Sequence, residues 1–246
     1  MEEQKDNISK RILTIIPAYN EEENIQRVLD ELRNDFAETD ILVINDSSKD
    51  KTKEIVQSSG VKCITTVFNL KYAYAVQTGI KYAEKYDYDY CIMFDGDGQH
   101  IAGEAKKLLE KIEESNADIV IGSRYLEKGD YKIQKLRKFG TNIFSELIKI
   151  FCGKKISDPL SGFQIINKKV IKLYSKEGEY PEYPDANLVI EMLIKGYKIE
   201  EIPVKMRNRV FGSSMHRGIV EPIKYMILML YTILIILLRR LLGRGK

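Results

Sequence analysis

The stretch Cys91-Ile92-Met93-Phe94-Asp95-Gly96-Asp97-Gly98-Gln99-His100 lies near the middle of the chain and joins an apolar run to a pair of acids. The run from Tyr90 to Phe94 predicts a short buried strand, because it is apolar, brief and followed by turn-forming residues. Asp95 and Asp97 come next, so both carboxylates are expected in a loop at the carboxyl end of that strand. Open α/β sheets bind their ligands at this edge.

The paired acids favour a metal site. Two carboxylates this close repel each other unless a cation lies between them, and Gly96 and Gly98 let a phosphate approach the backbone. Hard oxygen ligands suit Mg²⁺ or Mn²⁺, so the stretch predicts a divalent metal that holds a diphosphate. The plainer interpretation is a turn with two solvated acids, since Asp and Gly are common turn formers. The rest of the chain favours the metal.

The composition is that of a globular protein. The 246 residues allow one large domain, or a domain with an appendage, and 44% of them are hydrophobic. Cys63, Cys91 and Cys152 are widely spaced and form no metal-ligand pattern, so we expect a reducing compartment and no disulfide framework. Residues 1–11 are polar and charged, and we expect no secretory signal in them and a cytoplasmic catalytic part.

The net charge of +3 is unevenly distributed. Residues 205–246 hold nine Lys and Arg against one acid, and residues 124–155 hold nine against three. These basic segments are interleaved with apolar ones, a pattern typical of contact with an anionic membrane surface or with phosphate ligands. Nucleic acid is the weaker interpretation, because the sequence contains no nucleic-acid module motif.

The first half of the chain alternates apolar runs with amphipathic segments, which implies βαβ units and a parallel sheet buried on both faces. We expect the first strand to stop at Pro17 and Asn20 to cap the first helix. No Gly-x-Gly-x-x-Gly follows that strand, which argues against a dinucleotide fold. The predicted strands cover 11–16, 40–45, 61–66, 89–94 and 118–122. The first two predicted helices end near residues 36 and 59, and the next two cover 73–86 and 102–115.

Polar residues follow each of the five predicted strands. Because the carboxyl ends of parallel strands meet at one edge of a sheet, these residues describe a single site. They are Tyr19, Asn20 and Glu21 after the first strand, Asp46 after the second, Asn69 after the third, Asp95 and Asp97 after the fourth, and Ser123 and Arg124 after the fifth.

The second half of the chain changes character. Residues 134–151 predict an amphipathic helix, either interfacial at a membrane or packed on the core with a solvated face. A strand over 164–167, helices over 168–175 and 185–195, and a strand over 198–206 are predicted next. Residues 225–238 carry no charge. This run is short for a span, which needs about 20 residues, but we expect it to attach to a membrane, across the bilayer or in its interface.

Five ordered motifs resemble those of family 2 glycosyltransferases, in the polyprenyl-phosphate glycosyltransferase branch that includes dolichyl-phosphate mannose synthase. Each motif is weak alone, but the ordered set is specific and covers the chain from Ile12 to about His216. The motifs are Ile16-Pro17-Ala18-Tyr19-Asn20-Glu21-Glu22, Asn45-Asp46-Ser47-Ser48-Lys49-Asp50, Asp95-Gly96-Asp97-Gly98-Gln99-His100, Gly122-Ser123-Arg124-Tyr125 and Asp158-Pro159-Leu160-Ser161-Gly162-Phe163.

The resemblance implies an α/β fold of the GT-A class, the Rossmann-like fold of nucleotide-diphospho-sugar transferases, with a C-terminal membrane-associated helix. We expect a catalytic domain over residues 1–218, with the interfacial helix near 134–151, and a hydrophobic membrane helix with basic flanks over 219–246. The implied activity is inverting, metal-dependent transfer of one sugar from a nucleotide-diphosphate sugar to undecaprenyl or dolichyl phosphate for cell-envelope glycans. A UDP-linked hexose or N-acetylhexosamine is the favoured donor.

The resemblance also implies roles for single residues. Asp97 would bind Mg²⁺ or Mn²⁺ with help from Asp95 and Gln99 and would be catalytic, and Asp158 would orient a substrate. Arg124 and Arg137 would hold the acceptor phosphate, because an arginine fork matches phosphate oxygens. The residues expected to bind the nucleotide sugar are Pro17, Tyr19, Glu21, Asp46, Asp95, Arg209, Ser213 and His216.

Three positions depart from the pattern of the family. Met215 stands where relatives usually have lysine, so His216 or Arg217 would supply that charge. Asn45 replaces an acid but keeps a hydrogen-bonding group. The stretch Leu70-Lys71-Tyr72-Ala73-Tyr74 stands where relatives are commonly rich in glycine, so we expect donor specificity or loop geometry to differ there.

Two other functions are considered beside this one. A related enzyme would add the sugar to a hydroxyl of a saccharide or lipid-linked oligosaccharide, with Asp158 as the base. A non-catalytic membrane scaffold would bind the nucleotide sugar without turnover. In either enzymatic case we expect the cell membrane as the location, with the catalytic domain on the cytoplasmic face. The expected protein partner is a second copy of the chain or a small membrane protein. We expect no nucleic-acid partner.

Overall fold

The computed structural model describes residues 10–127, 135–209, 211 and 220–242. The strands in these residues are β1 (Ile12–Ala18), β2 (Asp40–Asn45), β3 (Lys62–Thr65), β4 (Tyr90–Met93), β5 (Ile119–Ser123), β6 (Gln164–Asn167) and β7 (Ile199–Pro203). The helices are α1 (Ile25–Asp35), α2 (Thr52–Ser58), α3 (Lys71–Lys85), α4 (Ala102–Ser115), α5 (Lys135–Cys152), α6 (Lys168–Tyr174), α7 (Ala186–Ile194) and α8 (Val220–Leu241).

The strands form one mixed sheet in the order β3-β2-β1-β4-β6-β5-β7. The predicted parallel pairing holds for the βαβ units, but β6 lies antiparallel between β4 and β5. The chain enters β6 from the carboxyl edge of β4 and β5, so the strand has to run the other way. All other strands share one direction, and their polar carboxyl ends lie at one edge as predicted.

Apolar side chains cover both faces of the sheet. Alternate residues of β4 point to opposite sides, with Cys91 and Met93 in one buried cluster and Ile92 in the other. One face packs against α3, α5, α6, α7 and α8, and the other against α1, α2 and α4. Since β4 is buried from both sides, the acid loop that follows it starts from a fixed point in the centre of the sheet.

The connection from β1 to α1 differs from the prediction. β1 continues through Pro17, because that residue faces the β4 side of β1, and β4 pairs with β1 only as far as Ile15. The missing N–H of proline therefore leaves no sheet hydrogen bond unmade. Asn20 has a left-handed φ of 55°, and its side chain accepts a hydrogen bond from the N–H of Lys49. Helix α1 consequently begins at Ile25, later than predicted.

Helices α5 and α8 both pack against α7, and each exposes large apolar side chains. The buried residues Phe144 of α5 and Met229 of α8 pack into the same core cluster, and Arg240 donates a hydrogen bond to the carbonyl of Phe151. No helix in the described ranges is long and apolar enough to cross a bilayer. The exposed large apolar side chains are Phe139, Ile150 and Phe151 on α5, and Ile227, Leu228, Leu230, Tyr231, Leu234, Leu238 and Leu241 on α8.

Candidate active site

A buried histidine holds the start of the acid loop. Nδ1 of His100 accepts a hydrogen bond of 3.0 Å from the backbone N–H of Asp95, and its Nε2 lies 3.6 Å from Oδ2 of the same residue. Because Nδ1 is an acceptor, the neutral ring carries its proton on Nε2, facing the carboxylate. Burial lowers the pKa of His100 against the opposing effect of Asp95, so the neutral form is the one present at pH 7.

The side chain of Asp95 is 31% exposed, and the carboxylate uses only part of its hydrogen-bonding capacity. Burial raises the pKa of Asp95, and the nearby carboxylate of Asp97 adds to the rise, while the neighbouring His100 opposes it. Its Oδ1 is buried and has no hydrogen-bond partner among the described residues. A buried acceptor without a partner is costly, which marks this oxygen as a place for an ion or a ligand.

Asp97 lies against an arginine that comes from the segment after β7. Nη2 and Nε of Arg209 donate to Oδ2 of Asp97 at 2.7 and 3.2 Å. The same guanidinium lies 3.5 Å from Oε1 of Glu21, whose pKa is raised by burial. Asn24 donates to the other oxygen of Glu21 at 2.8 Å. Glu21 in the loop after β1 and Asp97 in the loop after β4 therefore both lie against the guanidinium of Arg209.

The turn after Asp97 connects the acid loop to the segment that carries Arg209. Gly98 has a φ of +74°, a left-handed conformation that favours glycine, and a Cβ there would overlap the guanidinium of Arg27. The backbone N–H of Gln99 donates to Oδ1 of Asp97 at 3.0 Å, and its side-chain amide donates to the carbonyl of Arg207 at 3.3 Å. The metal contact predicted for Gln99 stays a prediction.

Asp46 organises the entry to α3. Its Oδ1 accepts hydrogen bonds from the N–H of Leu70 at 2.7 Å and from the hydroxyl of Thr66 at 2.9 Å. Lys71 follows with a left-handed φ of 67° and begins α3 two residues before the predicted start. Burial raises the pKa of Tyr72 in this helix, and the nearby charge of Asp95 adds to the rise. The prediction that this stretch changes donor specificity or loop geometry stays a prediction.

A buried ion pair joins the loops that follow β5 and α5. Nε and Nη2 of Arg124 donate to Oδ2 and Oδ1 of Asp158 at 2.7 and 2.8 Å, and the two side chains are 5% and 0% exposed. Glu201 in β7 accepts hydrogen bonds from the N–H groups of Ser157 and Asp158 at 2.7 and 2.9 Å. Burial raises the pKa of Glu201 against these two bonds. The acceptor role of Arg124 and the orienting role of Asp158 stay predictions.

The remaining predicted site residues lie at the edge of this cluster or outside the described parts of the chain. Pro17 and Tyr19 stand at the end of β1, and Tyr19 is 44% exposed. Ser213 and His216 lie outside the described residues, and so does the side chain of Arg137, whose backbone belongs to α5. The predicted residues that the structure brings together are Glu21, Asp95, Asp97, Gln99 and Arg209.

The acids fit a divalent metal that is bound together with a ligand. Asp95 offers a buried oxygen without a partner, and Asp97 already lies against a cationic group, the guanidinium of Arg209. Carboxylate oxygens are the protein ligands that Mg²⁺ and Mn²⁺ prefer. Within the described parts of the chain, no group of three or more His, Cys, Asp or Glu side chains is arranged for a metal. Phosphate oxygens and water would therefore complete the coordination.

Residues without a predicted role also lie beside predicted site residues, among them Tyr72, His100 and Glu201. The sequence signal for Tyr72 is the departure from glycine in its segment. The signal for Glu201 is an acid within the predicted strand over 198–206. The sequence gives no such signal for His100. It lies five residues after Asp95, and their contact can be foreseen only when the turn at Gly98 is known.

Comparisons with known proteins agree with these motifs. The profile of the family described as glycosyl transferase family 2 matches residues 14–174. The UDP-N-acetylglucosamine–dolichyl-phosphate N-acetylglucosaminyltransferase of Methanococcus voltae is 28% identical and aligns over 85% of this chain and 90% of its own length. The undecaprenyl-phosphate mannosyltransferase of Micrococcus luteus is 28% identical over 85% of this chain and 88% of its own.

A solved structure supports the GT-A fold. Glucosyl-3-phosphoglycerate synthase from Mycobacterium tuberculosis, in complex with Mn²⁺, UDP and glucosyl-3-phosphoglycerate, aligns with a TM-score of 0.62 at 16% identity. The alignment covers 92% of this chain and 79% of that one. At this identity the likeness speaks for the fold alone, and the family rests on the profile match. The chain belongs to glycosyl transferase family 2, and named relatives of it are polyprenyl-phosphate sugar transferases.

Proposed function

We propose that the protein is an inverting, metal-dependent glycosyltransferase that moves one sugar from a nucleotide-diphosphate sugar to a polyprenyl phosphate. The observation that carries the proposal is the acid loop after β4, where Asp95 has a buried oxygen with no partner in the described residues and Asp97 binds a cationic group. The names of the relatives support the acceptor class. The name of the Methanococcus voltae relative, which includes UDP-N-acetylglucosamine, favours a UDP-sugar, and the acids of the loop favour a divalent metal.

The proposed reaction needs charge stabilisation more than proton transfer. The bond between the anomeric carbon and the diphosphate breaks, and its electron pair leaves with the diphosphate. An oxygen of the acceptor phosphate forms the new bond to the same carbon from the opposite side. This acceptor is already ionised at neutral pH, so the enzyme needs no general base. Mg²⁺ or Mn²⁺, when bound, would neutralise the charge that develops on the leaving group.

Under this proposal the site residues have separate roles. Asp95 and Asp97 would hold the metal, and Arg209, which lies against Asp97, would supply a positive charge to the diphosphate. Glu21 lies beside that guanidinium and keeps it near the site while no ligand is bound. We retain the other expected roles as proposals. These are nucleotide binding by Pro17, Tyr19, Asp46, Ser213 and His216, metal assistance by Gln99, and phosphate binding by Arg124 and Arg137.

We also propose that the enzyme works at the cytoplasmic face of the cell membrane, where it makes lipid-linked sugar for envelope glycans. Support comes from the exposed apolar side chains of α5 and α8, which we name the α5–α8 surface, and from the cations Arg239 and Arg240 at the end of α8. Exposed apolar patches of this kind mark interaction sites. The division at residues 218 and 219, and assembly with a second copy or a small membrane protein, remain part of this proposal.

A transfer assay with purified protein tests the function. Undecaprenyl or dolichyl phosphate is incubated with a panel of labelled UDP- and GDP-sugars and with Mg²⁺ or Mn²⁺. We expect labelled lipid from one donor class, loss of product with EDTA, and loss in Asp97→Asn. The matched control is Asp87→Asn, which removes an acid whose side chain is 75% exposed outside the acid loop. Full activity of Asp97→Asn, or transfer to a saccharide hydroxyl and not to the lipid phosphate, would contradict the proposal.

A further inference from the structure

One carboxylate joins three parts of the chain that meet beside the acid loop. Oε1 of Glu31, on α1, accepts a hydrogen bond of 3.0 Å from the N–H of Ala102, the first residue of α4. Oε2 of the same group forms an ion pair with Nη1 of Arg207, in the segment after β7. The side chain of Glu31 is 15% exposed, so most of it is shielded from water. Glu31 therefore ties the end of the acid loop and the segment after β7 to α1.

The same segment also pairs with the acid loop. The backbone N–H of Arg207 donates to the carbonyl of Gln99 at 2.8 Å, and the side-chain amide of Gln99 donates to the carbonyl of Arg207 at 3.3 Å. Two residues further along, Arg209 contacts Asp97, which lies two residues before Gln99. This order of contacts is that of two antiparallel segments, with Arg207 opposite Gln99 and Arg209 opposite Asp97. The position of Arg207 thus fixes which residue faces Asp97.

The two arginines of this segment have different surroundings. The guanidinium of Arg209 lies against the acids at the carboxyl edge of the sheet, 2.7 Å from Oδ2 of Asp97 and 3.5 Å from Oε1 of Glu21. The guanidinium of Arg207 pairs instead with Glu31, which lies within α1 and also binds the start of α4. Arg207 is therefore placed as an anchor of the segment, and Arg209 is the cation that the anchored segment brings to the site.

We propose that Glu31 and Arg207 form a positioning pair, which holds the segment after β7 against the acid loop and so places the guanidinium of Arg209 at Asp97. This inference rests on the proposed function, in which Arg209 supplies a positive charge to the diphosphate. Because Arg209 and a divalent cation would share the carboxylate of Asp97, weaker placement of Arg209 should ease metal binding. A pair that stabilises one arrangement opposes a competing ligand by no more than its own free energy. For a partly exposed ion pair this corresponds to an affinity change of about threefold.

The test is Mn²⁺ binding to the full chain without nucleotide, measured by isothermal titration calorimetry. Glu31→Gln removes the charge that pairs with Arg207, while its amide oxygen still accepts from the N–H of Ala102. Arg207→Gln removes the other partner and leaves Glu31 bonded to Ala102. We expect each variant to bind Mn²⁺ about threefold more tightly than the wild type. The double variant should bind no more tightly than either single variant, because both changes break the same pair.

The Arg209→Gln background separates placement of this arginine from a general loosening of the fold. In that background Glu31→Gln has no guanidinium to release from Asp97, so we expect it to leave the Mn²⁺ affinity unchanged. Glu38→Gln is the matched control, because Glu38 is 44% exposed and pairs with Lys106 of α4. Equal Mn²⁺ affinity of Glu31→Gln and the wild type would overturn the inference. So would the same gain from Glu31→Gln in the Arg209→Gln background.

Nucleotide binding should change in the opposite direction. At saturating Mn²⁺ we expect Glu31→Gln to bind UDP or GDP about threefold more weakly than the wild type, because the cation for the diphosphate is less well placed. If the wild type binds Mn²⁺ and transfers sugar but Glu31→Gln behaves as the wild type does, the inference about the pair fails and the proposed function stands. If the wild type binds no Mn²⁺ and transfers no sugar, the proposed function fails, and this inference fails with it.

Discussion

The carboxylate of Asp158 receives two hydrogen bonds from the guanidinium of Arg124, at 2.7 and 2.8 Å, and both side chains are buried. A third bond, from the backbone N–H of Arg124, reaches Oδ2 at 3.1 Å. A base has to contact the proton that it removes. A carboxylate with both oxygens bonded and no exposed surface is poorly placed for that task. The pair therefore favours a phosphate acceptor, which needs no base, over a hydroxyl acceptor activated by Asp158.

Removal of one partner of this pair should destabilise the fold. In Arg124→Ala the buried carboxylate of Asp158 loses the charge that compensates it, and such losses cost about 3–5 kcal/mol. We expect the free energy of unfolding, measured by urea denaturation at pH 7, to fall by about that amount. Asp158→Asn should also destabilise the fold, because the buried guanidinium of Arg124 loses its counter-charge and the amide NH2 replaces one of the two accepting oxygens.

The double variant Arg124→Met with Asp158→Leu separates stability from function. It removes both charges, and replacement of a buried ion pair by apolar residues of similar volume is often neutral for stability. We expect its free energy of unfolding to approach that of the wild type while transfer activity stays low. A double variant as active as the wild type would show that the pair has no part in the site.

Arg209 should compete with the metal for Asp97. Its guanidinium donates to Oδ2 of Asp97 at 2.7 Å, and a hydrogen bond to a charged group contributes about 1.5–3 kcal/mol. Arg209→Gln should therefore bind Mn²⁺ about tenfold more tightly in the absence of nucleotide, as measured by isothermal titration calorimetry. Its transfer activity should fall, because the diphosphate loses a cation. Lys205→Gln removes an exposed positive charge from the same segment and is the control. Unchanged Mn²⁺ affinity of Arg209→Gln would contradict the competition.

The fold was largely predictable because the sheet is buried on both faces. Runs such as 40–45 and 164–167 have apolar residues between polar ends, so their limits could be read from the sequence and are confirmed. The antiparallel direction of β6 could not be read in this way. Direction depends on the edge from which the chain enters the sheet, and a run of four residues, Gln164 to Asn167, does not carry that information.

The sequence predicted which residues lie at the carboxyl edge of the sheet. It did not predict the side-chain contacts that depend on the path of a loop. Strand order brings Glu21 and Asp97 to one edge, so their proximity follows from the pattern of strands. The contact of Asp97 with Arg209 joins residues 112 positions apart and follows from the path after β7. The hydrogen bond between His100 and the N–H of Asp95 depends on the turn at Gly98, whose φ is +74°, and residue type alone does not indicate it.

Glu201 should make stability depend on pH in a predictable direction. Burial raises its pKa in the folded protein above the ordinary value of 4.5, so the folded state holds the proton more tightly than the unfolded state. Between these two pKa values the folded protein carries more protons, and stability falls as the pH rises. Glu201→Gln cannot titrate. We expect the wild type to lose stability relative to this variant as the pH rises from about 4 to about 7 in urea denaturation.

The same variant should affect activity. Glutamine has one acceptor oxygen fewer, and Glu201 uses Oε2 for the N–H of Ser157 and Oε1 for the N–H of Asp158. One of these bonds is lost, which loosens the turn that holds Asp158 against Arg124. We expect a lower kcat with an unchanged KM for the nucleotide sugar. If Glu201→Gln showed the same pH dependence of stability as the wild type, Glu201 would not be the titrating group.

The α5–α8 surface should bind lipid. Ile227, Tyr231, Leu234 and Leu238 follow one another at helical spacing and are each at least 47% exposed, so they form one stripe along α8. Burial of a leucine side chain contributes about 1.5–3 kcal/mol, and Leu234→Gln with Leu238→Gln should reduce sedimentation with phosphatidylglycerol vesicles at least tenfold. Both positions are exposed, so the circular dichroism spectrum should not change. Tyr86→Gln makes a similar change at a side chain that is 44% exposed at the end of α3. Equal sedimentation of the wild type and the double variant would contradict membrane binding by this surface.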